Sequence, residues 1–490
     1  MEAIAEKLRA RPDFRFLELE RRVKEDDLGF SSMVDALSHS TTIRYIYICG
    51  KFLDSLCQDQ RRVLFAAIQD LSSLRALYLA NTKLTAGTVK DLANLLLSCK
   101  APIQELSFQH LHIADGVTLD PVVTAAAKLC SLEKIELGVL FMYNNVPACT
   151  KESLIQLCRS TSLETLTLID LNLDQEHIVC MSQEIGRNDT LEKLHIWGEN
   201  AGSSLYDLAT MMERVTNLHT LCLYFANIDR EGMKFLLKSL GRSTAIRNLS
   251  IEHMGYSIQQ ESILALSRTL EDNQQLESLS LASKCLEGEG CKTLCQSLAC
   301  HKGIKELNLD NLMDKEDDGS LSGNSETVDT GDIKAICNLM RANQVIERLD
   351  VSGIPLGEAG VISLVTALQE NSTVRELTIA SFRKEHEMNN TRPGRDRNRA
   401  LVAIETMLEQ NRTLGNLVIE GDENWLDREE RTRVLLSLNE SNLRTLMMGI
   451  NSTRDAFVNT LSTRVYDISS VFYLLKMNPT VMNPSAPPAP

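Results

Sequence analysis

Short apolar segments of the form L-x-x-L-x-L recur along the chain, and each has the alternation expected of a brief β-strand with one buried side. The pattern makes fourteen units whose first apolar residues are mostly 27 to 31 positions apart. These residues are Ile43, Leu74, Ile103, Leu132, Leu163, Leu191, Leu218, Ile246, Leu276, Ile304, Ile346, Val374, Leu414 and Leu443. A fixed period of this length indicates a repeat array rather than several unrelated domains.

The segments between these strands have a helical period. After Leu173, Ile228, Ile258, Leu286 and Leu356, apolar residues follow at +8, +12 and +18. Residues four apart share one helix face, so each unit is predicted as a strand, a loop and a helix that bury their apolar sides against neighbouring units. Small residues stand at +4, where a bulky side chain is expected to push the helix away from the strand layer. They are Gly232, Ser262, Gly290 and Gly360.

Two units carry a resemblance to a known family. The segments "LEGEGCKTLCQSLACHKGIKELNLDNL" (286–312) and "LGEAGVISLVTALQENSTVRELTI" (356–379) resemble leucine-rich repeats of the ribonuclease-inhibitor-like type. That class includes the repeat arrays of Ran GTPase-activating proteins and of NLR immune receptors. The resemblance covers about residues 30–450 and implies an α/β solenoid, a horseshoe with parallel strands on its concave face and helices on its convex face, of about 14 repeats.

The domain organisation follows from where the repeat pattern starts, stretches and stops. Two units are lengthened, one by an acidic insertion at 313–330 and one by a mainly basic insertion at 383–398. These insertions are either solvated loops or an opposite-charge clamp over one rim of the array. The predicted regions are an N-terminal helical cap at 1–42, the repeat array at 43–455, a C-terminal helical cap at 456–478 and a disordered tail at 479–490.

Charge and apolar runs limit the partners. The 490 residues carry a formal net charge of -15, which opposes general binding to nucleic acid, since phosphate contacts need clustered Lys and Arg. The N-terminus lacks the features of a secretory signal, and the longest apolar runs are far shorter than the roughly 20 residues of a membrane span. We therefore expect a cytoplasmic protein that binds neither membrane nor nucleic acid.

The cysteines and the N-x-Ser/Thr sites lie within the repeat pattern. The 13 cysteines are mostly inside apolar strands and helices, which predicts reduced thiols. Asn188, Asn371, Asn411 and Asn439 each fall between a helical pattern and the next strand. Without an export signal, we expect these asparagines to be unglycosylated and to end helices in the left-handed conformation.

Catalytic motifs are missing from the sequence. It has no G-x-x-x-x-G-K-[ST], G-x-S-x-G or H-E-x-x-H pattern, so we predict that the protein is not an enzyme and binds no cofactor. The Ran GTPase-activating family, as the resemblance implies, places an arginine in a loop after an early strand. Here the loops after the first four strands contain no arginine, which argues against that activity.

Two groups of residues raise the possibility of a metal site, and for both we favour a structural role. The first group includes Cys295 in "LCQSL", which resembles a core helix motif of ribonuclease inhibitor. The second consists of His110 and His112 at the end of a predicted strand. The first group in full is Cys285, Cys291, Cys295, Cys300 and His301. We therefore expect no metal.

The concave face holds the residues that we predict bind a partner. Period-two alternation buries Leu194 and Ile196 and sends His195 and Trp197 to that face, where Tyr224 on the next strand lies within reach. Trp and Tyr combine large apolar area with a hydrogen-bonding group, and they are common at binding hot spots. Alternatively, the two rings only shield the strands. The predicted partner-binding residues are His195, Trp197, Tyr224, Phe225, Glu252, His253, Asp310 and Asp350.

These observations lead to a function hypothesis. Acidic residues give the C-terminal half of the concave face a negative lining, interrupted by Arg348. The predicted function is a non-enzymatic scaffold whose protein partner has an apolar or aromatic knob and a basic flank. The alternative is a regulator of an enzyme, such as a GTPase activator of the Ran type or a substrate-recruiting subunit of a ubiquitin ligase. The acidic residues of the lining are Glu252, Glu306, Asp310, Asp350, Glu376 and Glu420.

Overall fold

A computed structural model gives the fold as two compact units, residues 1–255 (unit 1) and 256–490 (unit 2), and each is treated by itself. Together they consist of strands that alternate with helices along the chain. The structure describes residues 1–11, 13–23, 28–140, 147–198, 205–225, 230–253, 260–282, 289–309, 330–352, 354, 356–380, 399–420 and 430–440.

Unit 1 contains ten strands and ten helices among its described residues. Its strands are β1 Phe16–Leu19, β2 Tyr45–Cys49, β3 Ala76–Ala80, β4 Lys83–Leu84, β5 Glu105–Ile113, β6 Lys134–Val139, β7 Thr165–Ile169, β8 Lys193–Gly198, β9 Thr220–Phe225 and β10 Asn248–His253. Its helices are α1 Glu2–Ala10, α2 Leu28–Ser38, α3 Gly50–Leu53, α4 Gln58–Gln69, α5 Ala86–Ser98, α6 Asp120–Ala126, α7 Lys151–Cys158, α8 Gln175–Ile185, α9 Leu205–Met212 and α10 Arg230–Leu240.

Unit 2 repeats the same alternation. Its described strands are β11 Ser278–Ala282, β12 Glu306–Asn308, β13 Arg348–Val351, β14 Glu376–Ala380 and β15 Asn416–Glu420. Its described helices are α11 Gln260–Asp272, α12 Glu289–Cys300, α13 Thr330–Ala342, α14 Gly357–Leu368, α15 Arg399–Gln410 and α16 Glu430–Glu440.

The strands of each unit pair in parallel and in chain order, apart from the short β4, which pairs with β5. Because parallel neighbours need a crossover connection, a helix lies between most consecutive strands in the chain. Each predicted strand position from Ile43 to Leu414 is followed, two residues later, by the first residue of a strand. The predicted solenoid of parallel strands and helices is therefore confirmed, while the segment at Leu443 lies outside the described residues.

The first strand of unit 1 lies inside the segment 1–42, which the sequence pattern assigned to a helical cap. That segment contains α1 and α2, but also β1, whose residues pair in register with β2 from Phe16 opposite Tyr45 to Leu19 opposite Ile48. The sequence "FRFLEL" at 14–19 has the repeat pattern with Phe14 in place of the first leucine. This substitution hid one strand from the pattern.

The helical register is confirmed by burial. The residues at +8 and +12 are at most 1% exposed in each of the five units that set the pattern, for example Leu294 and Leu298 in α12. The small residue at +4 has a different neighbour from the one expected. A Cβ on Gly360 would lie 2.9 Å from Ile333 Cδ1 on α13, so this glycine permits close approach of two helices rather than of a helix and the strand layer.

Side-chain hydrogen bonds link successive turns between helix and strand in unit 2. Asn371 Nδ2 donates to the carbonyls of Met340 (2.8 Å) and Asn343 (3.0 Å), which belong to the preceding repeat. Its Oδ1 accepts from the backbone N–H groups of Thr373 and Val374, each at 2.9 Å. Asn343 and Asn411 make the same pattern of bonds one repeat before and one repeat after.

These bonds correct the expectation that the turn asparagines are left-handed. Among the described residues, the non-glycine positions with positive φ are Asn81, His110, Asp170 and Asn172, none of which is a turn asparagine. The asparagines of the turns instead supply two donors and two acceptor lone pairs to backbone groups that would otherwise be buried without partners.

Several predicted regions lie outside the described residues. They are the two insertions except for Thr330, the C-terminal cap at 456–478 and the tail at 479–490. Across the part of the chain that the structure describes, no helix has the length and apolar content needed to cross a membrane.

Candidate functional site

The face of the unit 1 sheet that carries Trp197 is organised in rows, because parallel strands pair in register. This face is called the open face below. Within one row, Thr167 lies opposite His195, and His195 opposite Cys222. In the next row, Ile169 lies opposite Trp197, and Trp197 opposite Tyr224. The first row runs Glu136, Thr167, His195, Cys222 and Ser250, and the second runs Gly138, Ile169, Trp197, Tyr224 and Glu252.

Trp197 and Tyr224 form a ring pair on this face. Their ring centroids are 4.2 Å apart and the ring planes are inclined by 38°. Trp197 nevertheless remains 44% exposed, whereas its neighbour in the strand, Ile196, is 2% exposed. The alternation predicted for β8 is therefore present, and the indole presents a large area on the open face.

A cavity of about 340 Å³ lies beside this ring pair. Its charged lining residues are Glu136 and Glu252, and no Lys or Arg is found among the described residues that line it. The full lining is Glu136, Thr167, Leu168, Ile169, His195, Ile196, Trp197, Cys222, Leu223, Tyr224, Ser250 and Glu252. A concave site with aromatic walls and a few polar groups has the features of a binding pocket.

His195 is half-buried in this cavity. Its Nε2 atom is shielded from solvent and has no hydrogen-bond partner in the described part of the structure. Burial lowers the pKa of the imidazole below its usual 6.5, and Lys193 lowers it further, while Glu136 opposes the shift. His195 is therefore neutral at pH 7, so one of its ring nitrogens is an acceptor.

The other polar groups of the cavity differ in how they are held. Glu136 Oε2 accepts hydrogen bonds from Ser107 Oγ (2.8 Å) and Gln109 Nε2 (2.9 Å). Glu252 Oε1 accepts a long bond of 3.4 Å from Ser250 Oγ. Burial, followed by the charge of Glu252, raises the pKa of the Cys222 thiol to about 11. Cys222 is thus protonated at neutral pH and is a poor nucleophile.

The structure corrects the predicted site at Phe225. The prediction counts Phe225 among the partner-binding residues, but its side chain is 0% exposed. Alternation along β9 explains the result, because Leu221, Leu223 and Phe225 all point to the buried side while Cys222 and Tyr224 point to the open face. Phe225 is therefore a core residue.

Three further predicted residues lie away from the ring pair or outside the described side chains. The backbone of His253 ends β10 opposite Phe225, but its side chain is not among those described. Asp310 also lies outside the described residues. Asp350 belongs to unit 2, where its Oδ1 accepts from the N–H (2.9 Å) and the hydroxyl (2.6 Å) of Ser352. Its carboxylate therefore stabilises a turn.

The acidic lining predicted for the C-terminal half is partly neutralised within unit 2. Arg348 lies in register between Glu306 and Glu376, and its guanidinium forms an ion pair with Glu306. Glu420 ends β15 opposite Ala380. These charges are exposed or half-buried, so they influence approach of a partner more than stability.

The residues considered for metal binding have other roles in the structure. His301 is 2% exposed, and its Nδ1 accepts from the N–H groups of Gly303 (3.1 Å) and Ile304 (3.0 Å). Its Nε2 donates to the carbonyl of Asn273 at 2.7 Å. His301 thus occupies the turn position that Asn holds in the following repeats, and both of its ring nitrogens are engaged.

The remaining metal candidates differ in burial and in their position in the fold. Cys291 and Cys295 are buried in α12, while Cys300, at the end of the same helix, is exposed. His110 and His112 are both exposed on β5. Cys285 lies outside the described residues.

A second aromatic cluster on the open face escaped the sequence analysis. Phe16 is 48% exposed and Tyr45 is 37% exposed, and the two lie opposite each other on β1 and β2. Tyr47 and Tyr78 form a similar pair on β2 and β3. The alternation in "RYIYICG" could have placed both β2 tyrosines on this face, but Phe16 could not be placed because β1 was not predicted.

No protein-family model matches the chain. Three proteins with similar sequences have names that agree with the architecture described above. The mouse ribonuclease inhibitor is 28% identical over 289 residues, 55% of this chain and 58% of that protein. The human NACHT, LRR and PYD domains-containing protein 13 is 27% identical over 265 residues, 48% of this chain and 25% of that protein. The pig ribonuclease inhibitor is 21% identical over 331 residues, 63% of this chain and 70% of that protein.

The matched regions thus span only 58% and 25% of the first two relatives, so those proteins' complete activities are not carried over to this chain. The agreement concerns the repeat itself. Parallel strands alternate with helices at the repeat spacing, and the relatives are ribonuclease inhibitors and an LRR protein. The chain therefore has the leucine-rich repeat fold and is similar to proteins of the ribonuclease-inhibitor-like type.

Proposed function

We propose that the protein is a non-enzymatic interaction scaffold whose protein partner binds the open face of unit 1 at Trp197 and Tyr224. The observation that carries the proposal is the 44% exposure of an indole held against a second ring beside a cavity. Water contact with so large an apolar ring is unfavourable, and covering it with a partner is a common source of binding energy.

The chemistry of the cavity supports binding rather than catalysis. A nucleophile needs activation by a neighbouring base or by a lowered pKa. Cys222 has the opposite, a pKa raised to about 11. The residues are thus suited to recognise a group and not to attack it.

The charge of the site favours a partner with a basic flank beside an apolar or aromatic knob. Glu136 and Glu252, the charged residues of the cavity lining, lie at its two ends, where their carboxylates attract a basic group. The net charge of -15 acts in the same direction over longer distances and disfavours nucleic acid. We further propose a cytoplasmic location, where the thiols stay reduced.

Affinity capture followed by measurement with the purified partner tests this proposal. Trp197→Ala is expected to weaken partner binding by roughly tenfold or more, because truncation of a desolvated aromatic anchor typically costs about 2 kcal/mol. Tyr206→Ala is the matched control, since Tyr206 is 43% exposed but lies on α9. Circular dichroism checks that both variants fold. Equal affinity of the two variants and the wild type would place the binding site elsewhere.

A further inference from the structure

The cavity beside Trp197 has an unusual inventory of hydrogen-bonding groups. Its described charged groups are carboxylates only, from Glu136 and Glu252. Thr167 and Ser250 add hydroxyl groups, which both accept and donate. His195 adds an imidazole ring, one nitrogen of which accepts a hydrogen bond when the ring is neutral. The cavity thus offers several acceptors and no cationic donor among its described lining residues.

The acceptors are closest together at one end of the cavity. Glu136, Thr167 and His195 occupy successive strands in one row, so their backbones are spaced by about 4.8 Å. The side chains of Glu136 and His195 both line the cavity, with Thr167 between them in the row. The hydrogen bonds to Glu136 from Ser107 and Gln109 both end on Oε2 and hold the carboxylate in place.

Apolar groups lie in the adjacent row, one step along the strands. Ile169 is opposite Trp197 across the β7–β8 pair, and both line the cavity. Tyr224 stacks against Trp197 from the β9 side, with ring centroids 4.2 Å apart. The cavity therefore combines a cluster of acceptors with an aliphatic and aromatic wall.

We propose that this cavity binds an arginine side chain of the partner, with the guanidinium between Glu136 and His195 and the aliphatic stem along Ile169 and Trp197. The inference rests on the proposed function and names the group that enters the site. A guanidinium has five N–H donors and no acceptor, and its planar face stacks on aromatic rings, so it complements both parts of the cavity. The volume of about 340 Å³ is large enough for one inserted side chain.

Other occupants match the cavity less well. A carboxylate or phosphate would meet Glu136 and Glu252 with like charge. A purely apolar side chain would remove water from the carboxylates without supplying a donor, which is costly. A lysine has three donors on a compact ammonium group and lacks the planar face that stacks on Trp197. Arginine is the side chain that fulfils the donor, charge and stacking requirements together.

The experiment uses the purified 490-residue chain and a small probe, the acetyl-Gly-Arg-Gly-amide peptide. The sequence contains two tryptophans, so Trp425→Phe leaves Trp197 as the only indole reporter of fluorescence. We expect a saturable fluorescence change with the arginine peptide. The same peptide with citrulline, which is uncharged but nearly isosteric with arginine, is expected to bind at least roughly fivefold more weakly.

Variants locate the binding within the cavity. Glu136→Gln is expected to weaken the arginine peptide by roughly fivefold or more, since it removes the charge of the main acceptor. Glu105→Gln is the matched control, because Glu105 is also a carboxylate of the open face but does not line the cavity. Equal binding of the citrulline peptide, equal effects of the two variants, or no saturable response would each overturn the arginine assignment.

The two proposals can fail separately. If the arginine peptide does not bind but Trp197→Ala still abolishes capture of the partner, the interaction surface stands and the arginine assignment falls. If the peptide binds at Glu136 while Trp197→Ala leaves partner affinity unchanged, the cavity binds guanidinium groups but the partner site lies elsewhere.

Discussion

At one repeat position the turns of unit 2 use mostly Asn, whereas the turns of unit 1 use several residue types. Three residues before the first apolar residue of each strand, unit 2 has Asn273, His301, Asn343, Asn371 and Asn411. The equivalent positions in unit 1 are Ser40, Leu71, Lys100, Leu129, Ser160, Asn188, Val215 and Ser243. Thus unit 2 repeats one arrangement of hydrogen bonds, whereas unit 1 has it at Asn188 and uses other residues at its remaining turns.

The open face of unit 1 shows what variation can add. Neighbouring strands there present different chemistry, from Glu136 through His195 to Cys222 in a single row. Residues that recur at every repeat maintain the scaffold, while residues that occur in one repeat only can create a specific surface. The comparison therefore separates scaffold positions from candidate site positions, and variants of each kind should behave differently.

The largest expected effect comes from a core position of the scaffold. Leu294→Ala should lower the free energy of unfolding by ~2 to 5 kcal/mol, because Leu294 is 1% exposed and its truncation leaves a cavity between helix and sheet. Val402→Ala on α15 is the control, since Val402 is 41% exposed. Urea denaturation followed by circular dichroism measures both. A loss below about 0.5 kcal/mol for Leu294→Ala would contradict the helical register.

The next largest expected effect is a loss of stability at a turn of unit 2, which tests the comparison of the turns. Asn371→Ala removes a side chain that makes bonds to two carbonyls and two N–H groups while 3% exposed, so buried backbone groups lose their partners. We expect a loss of about 2 to 3 kcal/mol in the free energy of unfolding. Ser160→Ala, at the equivalent turn of unit 1, should change stability by less than about 1 kcal/mol.

That contrast between Asn371 and Ser160 has a clear failing outcome. Comparable losses for the two variants would mean that the asparagine bonds are not what distinguishes the turns of unit 2. Asn371 lies in unit 2 and Ser160 lies in unit 1. The denaturant slope of each variant should therefore be compared with that of the wild type, because a changed slope reveals that one unit unfolds separately.

The fold was predictable from the sequence because burial repeats. An aliphatic residue at every first strand position and apolar residues at +8 and +12 record contacts that recur from repeat to repeat, such as those of Leu294 and Leu364. The strand β1 was missed where Phe14 replaced leucine. The hydrogen-bonding role of Asn371 was also missed, because its carbonyl partners are 28 and 31 residues away and leave no periodic apolar signal.

The candidate site was predictable in part. Alternation placed Trp197 correctly on the side opposite to Ile196, as their exposures of 44% and 2% show. The same alternation predicts that Phe225 is buried. Phe225 was assigned to the site only because it follows Tyr224 in the chain. The cavity could not be inferred, because it depends on the side-chain directions of five strands at once.

A smaller effect on stability is expected for the open face itself. Trp197→Ala removes the contact with Tyr224, which is worth about 0.5 to 1.5 kcal/mol, but creates no core cavity. Ile196→Ala, one residue earlier and on the buried side, should cost ~2 to 5 kcal/mol. Thermal and urea unfolding of both variants provide the comparison. If Trp197→Ala is as destabilising as Ile196→Ala, the ring pair shields the strands and belongs to the scaffold.

The smallest expected effect is a pH dependence of the free energy of unfolding that arises from His301. Among the described turns of unit 2 compared above, this turn has His at the position where the others have Asn. Burial lowers the pKa of His301, although its bond to the Asn273 carbonyl opposes the shift. The geometry requires the neutral ring, because Nδ1 accepts from Gly303 and Ile304 and cannot do so when protonated.

The sign follows from the lowered pKa. Above the unfolded value of about 6.5, His301 is neutral in both states and its contribution to stability is fully present. As the pH falls below that value, the unfolded chain takes up the proton first, so stability is lost until the folded pKa has been passed.

His301→Asn places the residue of the neighbouring turns at this position and should reduce that acid-side loss while leaving stability at pH 7 nearly unchanged. His39→Asn is the control, since the His39 side chain is 79% exposed. Denaturation curves collected across this pH range for the three proteins measure the difference, and an unchanged pH dependence in His301→Asn would show that the turn histidine titrates alike in the folded and unfolded chain.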